Sequence, residues 1–362
     1  MKYNIIRKGL CAVLSCIVFS CGHGKGNEDL FSEGSFNTRI DLRDGRQLVV
    51  DDLLLGQPAS ITFHPDSFLI VDKTDSPMLI SIIDLKNNKT QELIPRGRGP
   101  GEMLVSRGVT IVDRDIYLYC VQLSKVLILT PAGDRSFCIT NEFFIEEKQS
   151  GCLHPLSRDR TVCLSAVGDE NRFTLLNGNG RILEKFGEYP QFLNDDEIKA
   201  NNDIFQSVIA STPDGERFVT VCSKTDLFEL YDVDAGLQRR FQGPLGLKLF
   251  VEATSMGSGY MLRPEPHYKT YRPLIANKDE FWAGFIGHRI ERGKGLTLAD
   301  QCTKKIFCFD WEGKPLRMFS LEFPAVYFDV DWNEKSLYAL ELHENDLVIT
   351  TYDLDNYLPD SK

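Results

Sequence analysis

The residue types most often used in catalysis are scattered along this chain. Its histidines are His23, His64, His154, His267, His288 and His343. No HExxH pair and no G-x-S-x-G segment occurs, so the motifs of zinc proteases and serine hydrolases are both missing from the sequence. Cysteine and histidine spacing typical of zinc sites and a D-x-D-x-D-G calcium loop are missing too. We therefore predict no metal and no cofactor, and the residue types favour a binding protein over an enzyme.

A glycine-rich loop is the first candidate for binding. Arg96-Gly97-Arg98-Gly99-Pro100-Gly101-Glu102 places glycine N–H groups beside Arg96 and Arg98, a combination that can hold an anion. The segment is no P-loop, because Gly-Lys-Ser/Thr does not follow its glycines. The alternative is a crossover between structural units whose glycines supply the required backbone angles.

Two longer stretches between apolar runs hold further candidates. The first, 243–272, contains His267, Tyr268, Tyr271 and Arg272, and tyrosine and arginine can stack on or hydrogen-bond to sugars, carboxylates or peptides. Its alternative role is to cover a sheet edge. The second, 287–303, contains His288 and Arg289 and is either a basic contact surface or a solvated loop. If the protein is instead a hydrolase or lyase acting on carbohydrate or peptide, His267 or His288 would be its acid/base.

The N-terminus carries a targeting pattern. Lys2, Arg7 and Lys8 precede an apolar run of about 12 residues, which suits a secretory signal and is too short to span a bilayer. Val18-Phe19-Ser20-Cys21 resembles the bacterial lipobox, in which the cysteine is acylated. We predict a signal peptide over 1–20, lipid on Cys21 and a flexible tether over 21–35. Ordinary signal cleavage near a free cysteine is the alternative.

The charge of the chain restricts its partners. The net charge is −11, and removal of three lysines and arginines with residues 1–20 would leave −14. Such a protein is repelled by phosphate backbones, so we predict no nucleic-acid partner. It also lacks a polybasic segment for anionic lipid, so the lipid anchor would hold it to the membrane. We predict a cell-envelope, outer-membrane lipoprotein whose ligand is a glycan, a peptide or a partner envelope protein.

Seven cysteines would remain after cleavage and acylation. An odd number cannot all pair, and most lie in apolar, strand-like runs where a free cysteine acts as a small buried hydrophobe. Local bridges between Cys152 and Cys163, or between Cys302 and Cys308, are the alternatives.

A repeat of tight turns indicates the fold. Turns rich in Asn, Asp and Gly follow Asp84 at spacings of roughly 47, 48, 55 and, after an insertion, 78 residues, close to the period of a propeller blade. Four short strands fit around each turn, but the last unit has only three. Either Phe36–Leu42 or Arg46–Val50 would supply its outer strand and remove two exposed edges. We predict one all-β domain over 36–362: a six-bladed β-propeller of four-stranded antiparallel blades, closed by the N-terminal strand. One short helix is predicted over 195–205.

Three segments carry a resemblance to a known family. The loop Ile94–Glu102, the hairpin Phe307–Pro315 and the strand Ser336–Leu340 are similar to corresponding parts of the TolB-like six-bladed propeller lipoproteins of Bacteroidetes. The resemblance implies a lipidated propeller in the cell envelope. It implies little about activity, because most members have no assigned ligand. Phe285–Arg289 departs from the family's turn at that place, which suggests a specialised loop.

Overall fold

The computed structural model covers most of the predicted domain. The described residues are 29–50, 55–147, 151–166, 169–190, 204–247, 250–255, 260–265, 267–291 and 293–358. The predicted signal peptide and Cys21 lie outside them, as does nearly all of the predicted helix over 195–205. Within the described ranges, no helix is long and apolar enough to cross a membrane. The helical segments among the described residues are short 3₁₀ turns at Glu33–Ser35, Val121–Leu123, Gly133–Arg135 and Ala299–Gln301.

The strands group into meanders in chain order. Three short strands come first: β1 (Asp29–Leu30), β2 (Thr38–Leu42) and β3 (Arg46–Gln47). The first meander is β4 (Pro58–His64), β5 (Phe68–Lys73), β6 (Met78–Asp84) and β7 (Lys89–Pro95). The second is β8 (Val109–Val112), β9 (Asp115–Cys120), β10 (Lys125–Ala132) and β11 (Ser136–Phe144). The third is β12 (Leu153–Pro155), β13 (Arg160–Leu164), β14 (Phe173–Asn177) and β15 (Ile182–Phe186). The fourth is β16 (Ser207–Ser211), β17 (Arg217–Cys222), β18 (Leu227–Asp232) and β19 (Gly236–Gln242).

The second half of the chain is less regular. A two-stranded hairpin, β20 (Phe250–Ser255) and β21 (Tyr260–Glu265), fills part of the first predicted insertion. The remaining strands are β22 (Tyr268–Ala276), β23 (Glu280–Arg289), β24 (Thr303–Asp310), β25 (Pro315–Asp331), β26 (Ser336–His343) and β27 (Asp346–Asp353). These six form one continuous sheet because β25 is 17 residues long. Its first half pairs with β24 and its second half with β26, so one strand ends one meander and begins the next.

The repeated turns have a common chemistry. The Oδ1 atom of Asp84 accepts the N–H of Lys86 at 2.9 Å, and that of Asp232 accepts the N–H of Asp234 at 3.0 Å. An aspartate that caps its own turn in this way stabilises a tight hairpin through contacts within the turn. This is why the turn rhythm was readable from the sequence.

The architecture is a β-propeller of four-stranded antiparallel blades. The first strands of successive meanders, β4, β8, β12, β16 and β22, contact one another in chain order, and β25 contacts both β22 and β4. Apolar side chains form buried clusters between neighbouring sheets. One of these clusters joins Ile70 of β5 to Leu118 of β9.

The N-terminal segment pairs with strands of two sheets. β1 pairs in parallel with β19, β2 pairs in parallel with β25, and β3 pairs antiparallel with Thr350 and Thr351 of β27. Phe31 is only 6% exposed and its ring contacts those of Phe228 and Phe309. The packed domain therefore begins by Asp29, before the predicted boundary at Phe36, because Phe31 buries its ring between two blades.

None of the seven cysteines of this part of the chain forms a disulfide, so neither of the two local bridges is present in the structure. Five of them are buried, among them Cys163 and Cys308. These side chains fill space between sheets as small apolar groups.

A cavity at the centre of the propeller

The first strands of the meanders surround a cavity of about 1400 Å³. We call it the central cavity. Lining residues come from β4, β8, β12, β16, β22 and the second half of β25, and from the loops that lead into them. Among the lining residues are the polar side chains of Asp72, Arg107, His154, Lys269, Arg272, Tyr327 and Asp329.

Positively charged side chains lie at one end of this cavity. Arg107 precedes β8, and Lys269 and Arg272 belong to the first half of β22. Asp72 pairs with Ser60 near the start of β4, and Lys224 is close enough to Lys269 to influence its titration. We call Arg107, Lys269 and Arg272 the basic end. The other end of the cavity is lined by hairpin turns such as Lys278–Asp279.

Arg272 is held by contacts on two sides. Its Nη2 atom donates to the carbonyl oxygen of Ala59 at 3.2 Å, and its guanidinium carbon lies 5.6 Å from the centre of the Tyr327 ring. A guanidinium over a tyrosine ring is attracted by the electron-rich face. These contacts engage one of five N–H donors and fix the plane of the group, which suits it to bind a further acceptor.

Asp72 is a buried carboxyl group beside these cations. It is 3% exposed, and its Oδ1 atom has no hydrogen-bond partner among the described residues. Burial raises the pKa of Asp72 to about 7, although the Ser106 hydrogen bond and the charges of Arg272 and Arg107 act in the opposite direction. Near neutral pH a large share of Asp72 is therefore uncharged, and it neutralises the cations only in part.

Asp329 is the second carboxyl group of the cavity with an altered pKa. One of its oxygens accepts the N–H of Phe63 at 2.8 Å, and burial raises its pKa to about 7 despite that bond. Tyr327, two residues earlier on β25, has its pKa raised to about 12, mainly by burial. Two carboxyl groups that exchange protons near pH 7 could act as an acid and a base.

Lys269 lies among other cations. Burial lowers its pKa most, and the positive charges of Arg272, Lys224 and Arg107 lower it further. No acidic side chain in the described part of the chain forms an ion pair with it. His154, on β12, has its pKa lowered to about 4 by burial, and its Nε2 atom is 3.0 Å from the hydroxyl of Ser211. It is therefore a neutral imidazole at pH 7.

The glycine-rich loop lies outside the central cavity, and its amides are already occupied. The N–H of Gly99 donates to Glu102 at 2.7 Å, and that of Gly101 donates to Glu142 at 2.6 Å. Arg96 donates to the carbonyl oxygens of Thr74 and Leu104, while Arg98 is exposed. The loop is thus a crossover whose glycine amides are held by Glu102 within the loop and by Glu142 of β11.

Of the other residues predicted from the sequence, some line the central cavity and some lie outside it. Tyr271 and Arg272 both line the cavity, although Tyr271 is buried. The remaining four lie outside it, in the part of the hairpin where Tyr268 pairs with Arg289 and Lys269 with His288. These four are His267, Tyr268, His288 and Arg289. Of them, His288 has its Nδ1 atom 3.6 Å from Oδ1 of Asp300.

Of the seven polar residues named above for the central cavity, the sequence predicted only Arg272 as a contact. Asp72 follows four apolar residues, Phe68-Leu69-Ile70-Val71, and a charged residue in such a run is a signal that it faces something specific. Arg107 and Lys269 give no comparable signal, because exposed basic residues in connecting segments are common.

The family that the sequence matches has the same fold as the structure. A sequence model of the family described as TolB-like 6-blade propeller-like matches residues 40–333, most of the chain. The protein belongs to this family. Among curated proteins none matches the chain. Among solved structures it is similar to Raptor from Chaetomium thermophilum, with a TM-score of 0.50 and 12% identity.

The likeness to Raptor concerns the fold alone. The match covers 86% of this chain and 29% of the Raptor chain, so this protein spans less than a third of that one. As many as 918 chains of known structure match, which makes the fold too widespread to indicate an activity. The function of this TolB-like propeller has to be argued from its cavity.

Proposed function

We propose that this TolB-like propeller is a non-catalytic binding protein that takes a glycan, a peptide or a segment of an envelope protein into its central cavity. Membership of the family supports a binding or scaffold role. In our proposal the ring has six blades, and β3 completes the last one beside β27. The family description and the pairing of Arg46 with Thr351 support that arrangement.

The central cavity is the observation that carries the proposal. Ligand pockets in proteins commonly measure about 300–1,000 Å³. A space of about 1400 Å³ lined by fixed strands is large enough for several sugar or peptide units. Rigid walls also keep the loss of conformational entropy on binding small, which favours affinity.

Blocking the cavity tests the proposal. Thr110 lines it from β8, so Thr110→Trp should fill part of the space and abolish binding of any ligand found by screening glycans and peptides. Thr38→Trp is the matched control, because Thr38 is exposed on the outer strand β2. Both variants must first show the circular dichroism spectrum of the parent. Undiminished binding by Thr110→Trp would remove the cavity as the site.

We further propose that lipid on Cys21 anchors the propeller to the outer membrane of the cell envelope. The supporting pattern is the basic, apolar and lipobox-like sequence over 1–21. Cys21→Ser should abolish palmitate labelling and move the protein from the membrane fraction to the soluble fraction, whereas Cys16→Ser should leave both unchanged. Retained labelling in Cys21→Ser would disprove the anchor.

A second candidate function rests on the carboxyl groups of Asp72 and Asp329. Both line the cavity, both have a pKa of about 7, and both influence the titration of Tyr327. These properties suit a hydrolase or lyase acting on carbohydrate or peptide. Mass spectrometry of bound oligosaccharides and peptides after incubation would show cleavage products, and Asp329→Asn would stop their formation without stopping binding. Recovery of every ligand intact would exclude this function for the ligands that bind.

A further inference from the structure

The basic end is unusual on this protein because three cations lie together at one end of the central cavity and none of them forms an ion pair with a described carboxylate. Elsewhere, buried lysines are paired: Lys73 lies 2.6 Å from Glu92, and Lys125 lies 3.0 Å from Glu142. In the described residues, Arg107, Lys269 and Arg272 form no ion pair. The whole chain carries a net charge of −11, so this concentration of positive charge does not follow from composition.

The carboxyl group of Asp72 lies near several of these cations but does not neutralise their charge. The charges of Arg272 and Arg107 lower the pKa of Asp72, but burial raises it more, so Asp72 stays partly protonated near pH 7. Lys269 is repelled by three other cations. Holding like charges close together costs free energy, and a bound anion would offset that cost.

The neutral groups around the basic end restrict the kind of anion. Hydroxyl and amide side chains at the same end of the cavity come from Ser60, Ser106, Gln206 and Ser223. Such groups donate to and accept from hydroxyl groups. A sugar acid presents a carboxylate with hydroxyl groups beside it, whereas the carboxylate of a peptide terminus is flanked by an amide and a side chain.

We propose that the basic end binds the carboxylate of an acidic sugar, with Arg107, Lys269 and Arg272 as its ligands and the neighbouring serines and Gln206 bound to its hydroxyl groups. This inference rests on the proposed function, since it names the substrate class of the central cavity. Arg272 supplies the planar pair of donors, and Lys269 supplies a point charge.

A charged and a neutral form of one ligand test the proposal. Isothermal titration of the purified full-length protein would use trigalacturonate and its fully methyl-esterified form, which has the same rings without the charge. We expect trigalacturonate to bind at least tenfold more tightly, because each charge-assisted hydrogen bond is worth about 1.5–3 kcal/mol. Equal affinity for the two forms, or no binding of trigalacturonate, would overturn the proposal.

Charge-neutralising variants locate the contact. Lys269→Gln and Arg272→Gln should each weaken trigalacturonate binding about tenfold and leave the affinity of the methyl ester within about twofold. Arg181→Gln is the matched control, because Arg181 is exposed at an outer hairpin and forms no ion pair within the described residues. Parent-like melting temperatures for all three would exclude misfolding. Equal losses in the control would show a general effect of charge and overturn the assignment.

Two further outcomes separate this inference from the proposed function. If N-acetylglycylglycine, a peptide carboxylate, binds the basic end more tightly than trigalacturonate, the acidic sugar is the wrong class. If neutral ligands bind, are lost in Thr110→Trp and are unaffected by Lys269→Gln, then the cavity binds ligands but the basic end does not select an anion. The inference then fails while the proposed function stands.

Discussion

The hydroxyl of Tyr271 donates a 2.5 Å hydrogen bond to Oδ1 of Asp226, and both side chains are buried. The other oxygen of Asp226 accepts the N–H groups of Leu245 at 2.6 Å and Gly246 at 3.0 Å. One carboxyl group thus joins the first half of β22 to the loop after β19. Because Lys269 and Arg272 flank Tyr271 on β22, this bond also positions the basic end.

Removing that hydroxyl should destabilise the protein. Tyr271→Phe would leave a buried carboxyl oxygen without its donor, which typically costs about 1–3 kcal/mol. We expect a loss of that size in the free energy of unfolding, measured by urea denaturation.

Tyr231→Phe provides the matched control. The Tyr231 hydroxyl is buried and has no hydrogen-bond partner among the described residues. Its removal should leave the free energy of unfolding unchanged or slightly higher. Equal losses in the free energy of unfolding of the two variants would show that the Tyr271–Asp226 hydrogen bond does not stabilise the fold.

The N-terminal segment should contribute strongly to stability. Phe31 packs among Phe36, Phe228 and Phe309, so Phe31→Ala would remove a buried ring and is expected to cost about 3–5 kcal/mol. Leu30→Ala, one residue earlier and 64% exposed, should change stability by no more than about 0.5 kcal/mol. Thermal and urea unfolding of the two variants would be compared. A Phe31→Ala protein as stable as the parent would mean that the segment does not dock in solution.

Asp72 should make the protein less stable as the pH rises. Its pKa is about 7 in the folded protein against an ordinary value of 3.8, so the folded state holds the proton more tightly than the unfolded state. This contribution is fully present below pH 4, declines between about pH 4 and pH 7, and is lost above. Asp72→Asn should therefore gain stability relative to the parent as the pH rises, by up to about 4 kcal/mol at pH 8, since one pKa unit is worth about 1.4 kcal/mol.

Urea unfolding from pH 4.5 to pH 8 measures this effect. Asp41→Asn is the control, because Asp41 is exposed on β2 and its substitution should leave the pH dependence as in the parent. If Asp72→Asn followed the same pH profile as the parent, Asp72 would be an ordinary ionised carboxylate. The basic end would then be better neutralised than we infer.

Much of the strand pattern could be read directly from the chain. Four short strands surround the repeated turns, as predicted, for example Ile182–Phe186 beside the turn that precedes it, and the turn after Asp84 ends at Lys89. These features depend on alternating apolar residues and on side chains that cap their own turn, both of which act over a few residues. The N-terminal strand was less certain: Arg46–Gln47 pairs with the last strand, while Thr38–Leu42 pairs with β25.

The sequence by itself determined the repeated meanders, their turns and the family, because hydrophobic alternation and turn chemistry are local and each unit repeats them. Only the tertiary structure decided the site. Arg107, Lys269 and Asp72 are far apart in the chain, and they meet because the blades bring their first strands around one cavity. It also decided that Tyr271 bonds Asp226 and that Glu142 of β11 accepts an amide of the glycine-rich loop. Those contacts depend on which distant groups the packed sheets bring within hydrogen-bond distance.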